Sequence, residues 1–374
     1  MGASCFVRVR QKESQTFVAV MHPIHMLKRT VQVILLILLC GAAVSPGFSQ
    51  SSQDLQNFLS QTIKLSQDQI ASIRNGQPYA TNLQSRTPAE IFVFGVIYIN
   101  AYPEDYVKYA GDFNRLRNVP GYLAIKPLSN PPELSDLQGF GLGSDDVQSL
   151  QKCQPGNCTV QLPGSTMTAL RQSIDWSAPD VVGQVNQYLQ KYALERLQLY
   201  LKQGDQIFDA VYNDKKQQVN VADQFHYILG NAKALPEYLP DFYSYILNFP
   251  NSKPANAESS LYWDSVKFGL KPTLRIVQVF TMTGKSPQEA AYVIAEKQLY
   301  SSHYFETALD LTFCISGSGD PKQKGFYLVK AMGSEQAGLT GFQGSIIRRV
   351  AVGHSVTDLQ KSLAVFKSDL EEQH

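Results

Sequence analysis

The sequence predicts an α+β fold: an antiparallel curved sheet that ends in a long C-terminal helix and is interrupted by a mainly helical insertion. Three observations predict it. From residue 260 the apolar residues alternate with period two over 261–268, 273–283, 290–300, 303–315 and 325–333. Gly269, Pro272, Gly284, Gly317, Gly319 and Gly325 punctuate these runs. Val356, Leu359, Leu363, Phe366 and Leu370 then step by three and four residues, the single apolar stripe of a terminal helix. Between an opening strand–helix unit at 88–128 and the strands at 259–374, residues 129–258 switch to helical spacing.

Residues 1–50 form an upstream extension and a signal peptide. Lys28 and Arg29 precede a twelve-residue apolar run, Val33–Val44, and Ser45, Pro46 and Gly47 end it. A span needs roughly 20 apolar residues, so the run is short for a membrane helix. Cleavage near Ser49 fits the small residues Gly47 and Ser49, with Ala43 as a second position, and Met26 is a plausible start of translation. An uncleaved anchor and a lipid on Cys40 are the alternatives. The expected location is therefore periplasmic or secreted.

Residues 51–87 read as an N-terminal helical segment, with Leu55, Phe58, Leu59, Ile63, Ile70 and Ile73 at helical spacing before Asn75-Gly76. Ile91–Ile99 is apolar throughout and predicts a strand buried on both faces. Pro103, Glu104 and Asp105 suit the first turn of a helix, because proline needs no amide partner there and acids favour the N-terminal end of the dipole. Gly121–Leu128 is a further short strand. In the insertion, Ser144-Asp145-Asp146 caps a short helix, Thr159–Leu162 is a short strand, and Ser165–Ile174 is helical. Val182, Val185, Leu189, Ala193, Leu197 and Tyr200 mark a long helix over about 179–203, broken at Gly204. Further helices are expected at about 206–212, 221–229 and 237–247.

Composition bounds the function. The 374 residues are 44% hydrophobic and 17% charged, which excludes a disordered or fibrous chain. The formal charge is +1, and removal of residues 1–50 takes away five basic residues and one acidic residue, leaving −3. No basic field for nucleic acid remains. Three cysteines then remain. Cys153-Gln-Pro-Gly-Asn-Cys158 puts Pro-Gly inside a tight loop, and export favours a Cys153–Cys158 disulfide over two thiols or half a metal site. Cys314 lies in an apolar run and reads as a small buried hydrophobe. No metal pattern, phosphate loop or nucleophile signature is present, and no cofactor is expected.

The order of elements, with Tyr98-Ile99-Asn100-Ala101-Tyr102-Pro103-Glu104-Asp105-Tyr106 and Gly111-Asp112-Phe113, resembles the opening of the START-like helix-grip superfamily, which includes lipid-transfer domains and polyketide cyclases. The strands and final helix at 260–370 resemble the end of that fold. The resemblance implies a helix-grip-like sheet that closes an apolar cavity with its last helix. It implies a hydrophobic small molecule or lipid as partner, bound without catalysis. The helical block at 129–258 departs from that pattern.

Candidate site residues follow from strand alternation. His303, Phe305, Thr307, Leu309, Leu311 and Phe313 share one apolar face, read as the cavity face under the final helix. Tyr304, Glu306, Ala308, Asp310 and Thr312 share the other, read as facing solvent or the insertion. Leu274, Ile276, Gln278, Phe280 and Met282 alternate in the same way, with Arg275 on the opposite face. The expected ligand-binding set is His303, Gln278, Phe305, Leu309 and Phe280; His303 sits at the mouth and Gln278 needs a polar partner within an apolar face. Gly338, Gly341 and Gly344 read as a mobile connection, and Arg348-Arg349 as a solvated helix turn or an anionic head-group site. The alternatives are an exported enzyme with a His303-containing site, signalled by His303 meeting an acid from the insertion, or an envelope interaction protein that uses the insertion.

Overall fold

The computed structural model describes residues 50–208, 211–212, 218–231, 239–267, 271–286, 289–336, 338–339 and 341–372. The signal-peptide reading falls outside them. Among the described residues no helix is long and apolar enough to cross a membrane.

The chain is α+β, built on one curved, open, eight-stranded antiparallel sheet. Two helices, α1 (Gln50–Gln61) and α2 (Gln67–Arg74), precede a short edge strand, β1 (Tyr79–Asn82), and the long β2 (Glu90–Ile99). The sequence predicts one helix over the first stretch. It breaks because Ser66 caps α2: its hydroxyl accepts the Gln69 amide while the Gln69 side chain accepts the Ser66 amide, a reciprocal capping box. After β2, α3 (Pro103–Ala110) ends at Gly111 and α4 (Phe113–Leu116) restarts on an Asp112 cap.

β3 (Tyr122–Pro127) then crosses to the far edge of the sheet, and the insertion follows. It contains α5 (Ser144–Leu150), the two-residue β4 (Leu162–Pro163), α6 (Gly164–Ser173), α7 (Val181–Gln203), the short pair β5 (Val211–Tyr212) and β6 (Gln218–Val219), α8 (Val221–Asn231) and α9 (Pro240–Leu247). α7 stops at Gly204, whose φ of +68° favours glycine. A Cβ there would also stand 1.9 Å from the Phe249 carbonyl oxygen.

The chain then runs as a meander through β7 (Ala257–Lys267), β8 (Pro272–Thr283), β9 (Tyr292–Ser301), β10 (Phe305–Ser316) and β11 (Phe326–Gln336), and ends in α10 (Gly341–Glu372). The strand order is β1-β2-β11-β10-β9-β8-β7-β3. The last meander strand therefore lies beside β2, and the sheet is helix-grip-like, with the insertion placed between β3 and β7.

Both faces of the sheet are covered. On one face, Leu359, Leu363 and Leu370 of α10 pack with Ile91, Val93 and Ile97 of β2 and Phe326 and Leu328 of β11. Gly95 makes the closest approach: a Cβ there would stand 2.8 Å from Leu359 and 2.9 Å from Leu363. α3 supplies Tyr106 and Tyr109 to this cluster, and α4 places Phe113 and Leu116 against Ile125, Tyr262 and Val277. On the opposite face, α1 and α2 cover Phe94, Val96, Tyr327 and Val329. The insertion covers the remainder: α7 packs on Leu274, Ile276 and Trp263, while α8 and α9 pack on Phe280, Leu309 and Leu311.

This corrects the reading of the strands. Their apolar face turns toward the insertion and not toward the final helix. The insertion presents two broad apolar clusters, whereas α10 presents one narrow stripe, so the larger apolar area goes to the larger apolar partner. The polar alternates, Asp310 and Thr312 included, lie on the sheet face that carries α3 and α10.

Candidate functional site

The predicted binding residues lie on the insertion face and are spread over separate structures. His303 lies just before β10, 4% exposed. Its Nε2 is 2.9 Å from Asp146 Oδ2 and its Nδ1 is 2.8 Å from the Thr159 carbonyl oxygen. Lys271 Nζ donates to the other Asp146 oxygen at 2.7 Å. His303 thus meets an acid from the insertion, the arrangement that would signal an enzyme. Both ring nitrogens, however, are engaged by oxygens of the protein itself, and the ring is buried. The cluster clamps α5 and the 159 region to the β9–β10 turn. Burial pushes the Asp146 carboxyl up, but hydrogen bonds from His303 and Lys271 outweigh it and hold it below its ordinary value.

Gln278 is fully buried, and its Oε1 accepts the Tyr200 hydroxyl of α7. Its Nε2 has no hydrogen-bond partner among the described residues. Phe280 packs edge-on to Tyr245 of α9, with ring centroids 5.2 Å apart, and Leu309 joins the same solid core. Of the predicted set, Phe305 lines a cavity of about 100 Å³ between α7 and the sheet. That is smaller than a cavity of about 150 Å³ that admits benzene. The predicted disulfide is present, with Cys153 and Cys158 bonded at 2.03 Å, and Cys314 is a buried free thiol.

A different set of side chains converges on the helix face. Asp310 of β10 stands directly opposite Glu296 of β9, and Glu296 directly opposite Val279 of β8. Residues paired this way have Cβ atoms about 4.5–5.5 Å apart, so the two carboxyl groups share one space. Neither has a hydrogen bond or ion pair among the described residues. Both are part-exposed, on the sheet face against which α3, α4 and α10 pack.

The neighbours of the pair are also polar. Lys330 of β11 pairs across from Thr312 and donates to its hydroxyl at 2.8 Å and to the Tyr106 hydroxyl at 3.4 Å. Arg275 and Asp264 form a two-pronged ion pair at 2.9 and 2.6 Å toward β3. Val279, Ile294, Val93 and Met332 supply apolar wall on the same face.

The electrostatics follow from this enclosure. Burial pushes the Asp310 carboxyl up to about 7, Glu296 adds to the rise, and Lys330 and Arg275 oppose it. Burial alone would lower the Lys330 ammonium, but Tyr106, Glu296 and Asp310 hold it above its ordinary value. Asp310 thus offers a hydroxyl as well as an acceptor near neutrality, next to a second carboxyl group and a fixed cation. Sequence reasoning placed Asp310, Thr312 and Arg275 on the face away from the apolar residues but assigned the cavity to the apolar side. The available signal was polar residues at every second position on adjoining strands, which a plain core does not need.

No family model matches this sequence, and no curated protein matches it.

Proposed function

We propose that this chain is an exported protein that binds a small amphiphilic molecule between the helix face of its sheet and helices α3, α4 and α10. One observation carries the reading: Asp310 and Glu296 stand directly opposite each other on the helix face of the sheet, with neither hydrogen bond nor ion pair among the described residues. A purely structural pair of acids so placed is costly, whereas a ligand head group that exchanges hydrogen bonds with them offsets that cost. Val279, Ile294 and Val93 suit the apolar body of the ligand. Export rests on the apolar run after Lys28-Arg29 and on a disulfide, which persists in oxidising compartments.

Mass spectrometry of organic extracts from the purified protein tests the binding. An amphiphile should co-purify with the wild type and be lost from folded Asp310→Asn and Val279→Trp variants. Extracts without any ligand, together with no binding of 1-aminoanthracene, would remove the proposal. A second reading has one observation behind it. A carboxyl raised to about 7 beside another carboxyl group is suited to acid–base work, so an enzyme of this fold would use Asp310 and Glu296, not His303.

A further inference from the structure

Three of the large aliphatic side chains left exposed among the described residues fall within five positions: Ile346, Ile347 and Val350, each more than half exposed. The others, Leu123, Leu134, Leu199 and Val365, stand apart in the sequence. At about 100° per residue, Ile346, Val350 and Ile347 span one arc on the outer side of α10, away from the Leu359 and Leu363 stripe on the sheet. Later turns carry Thr357, Asp358 and Lys361 on that outer arc, to which Val365 alone returns an exposed aliphatic side chain. Packing among the described residues does not account for the outer aliphatic residues. Helix propensity does not either, because isoleucine and valine are weak helix formers.

The same turns are basic. From Gly341 to Thr357 the chain carries Arg348 and Arg349 and no carboxylate. Arg348 turns inward, its Nη2 donating to the Ser85 hydroxyl at 2.9 Å and to the Glu90 carbonyl at 3.2 Å. Arg349 is exposed beside the aliphatic arc. Both arginines line a recess of about 390 Å³ together with Ser345, Leu339 and Pro88.

We propose that the first turns of α10 dock on an anionic lipid surface. Ile346, Ile347 and Val350 enter the boundary between head groups and acyl chains, and Arg349 and the recess receive head-group phosphates. Aliphatic residues on one arc with basic residues at its flank are the pattern of an interfacial helix. A second copy of the chain fits less well. A two-fold contact would bring the two Arg349 side chains together, and three side chains fall short of the roughly 800 Å² per partner of a stable interface. The inference goes beyond the proposed function and does not depend on what the sheet binds.

Co-sedimentation of the full chain with vesicles tests it. The wild type should sediment with phosphatidylglycerol–phosphatidylcholine vesicles, weakly with pure phosphatidylcholine, and less at high salt. The double variant Ile346→Ser with Val350→Ser should lower partitioning roughly tenfold or more, since each side chain loses its apolar burial. Arg349→Glu should abolish the preference for phosphatidylglycerol. Circular dichroism should be unchanged, because all three positions are exposed. Absence of wild-type sedimentation would overturn the proposal. So would variants that bind as the wild type does, or ultracentrifugation showing a dimer that the double variant dissociates.

Discussion

Replacing Asp310 with asparagine should stabilise the protein at alkaline pH while removing its ligand. Asparagine keeps the shape of the side chain and cannot ionise. The Asp310 carboxyl sits at about 7 in the folded chain, raised chiefly by burial and then by Glu296. In the unfolded chain it returns to about 3.9. Below pH ~4 the group is protonated in both states and contributes nothing to the pH dependence. Between the two values the unfolded chain ionises and the folded chain does not, so stability falls as pH rises. Above about 7 both are ionised and the penalty is constant. Three units at about 1.4 kcal/mol each give an upper limit of about 4 kcal/mol. Residual solvent access and movement of Lys330 reduce this, so a gain of about 1–3 kcal/mol for the variant at pH 8 is expected. Urea unfolding of both proteins at pH 5, 6, 7 and 8 measures it. The difference should grow with pH and level off, and organic extracts of the variant should lack the amphiphile. A stability difference that is flat, or that favours the wild type more at pH 8 than at pH 5, would refute the assignment of a raised, unpaired carboxyl. A gain in stability coupled to loss of ligand marks a group retained for binding rather than folding.

Other consequences can be measured on the same material. Asp146→Ala strands the buried His303 ring and should cost about 3–5 kcal/mol in urea unfolding, whereas Lys271→Ala, at the exposed arm of the clamp, should cost under about 1 kcal/mol. The Asp146 contribution should be complete above the unfolded carboxylate value of about 3.9 and disappear as pH falls through its lower folded value. Gly95→Val drives a side chain into Leu359 and Leu363 and should destabilise by about 1–3 kcal/mol, seen as a lower midpoint with an unchanged slope. Thiol labelling of the unfolded, unreduced protein should modify Cys314 alone among Cys153, Cys158 and Cys314; modification of all three would exclude the pair.

Much of the fold was legible because the strands and α10 have strong periods and the turns between them carry glycine and proline. The α1–α2 break was not, since Ser66 and Gln69 act through a local hydrogen-bond exchange that apolar spacing does not record. The site was legible only by half. Alternation separates Leu309 and Leu311 from Asp310 and Thr312 correctly, but it says nothing about which face meets which partner. That choice depends on the insertion, whose apolar clusters converge from α5 to α9 and cannot be summed from any one window. A helix-grip sheet without the insertion would expose one face to water, and the apolar alternates would have to face the final helix. With the insertion present, both faces are covered, and the face that carries α3, α4 and α10 can hold Asp310, Glu296, Lys330 and Arg275. The sheet core is completed elsewhere, by α7, α8 and α9 on Leu274, Phe280 and Leu309. The insertion therefore acts on the proposed site from the opposite side of the sheet: it takes over the packing that would otherwise require an apolar inner face. Truncating the Tyr200–Gln278 or His303–Asp146 attachments should then loosen the outer layer before it disturbs the carboxyl pair.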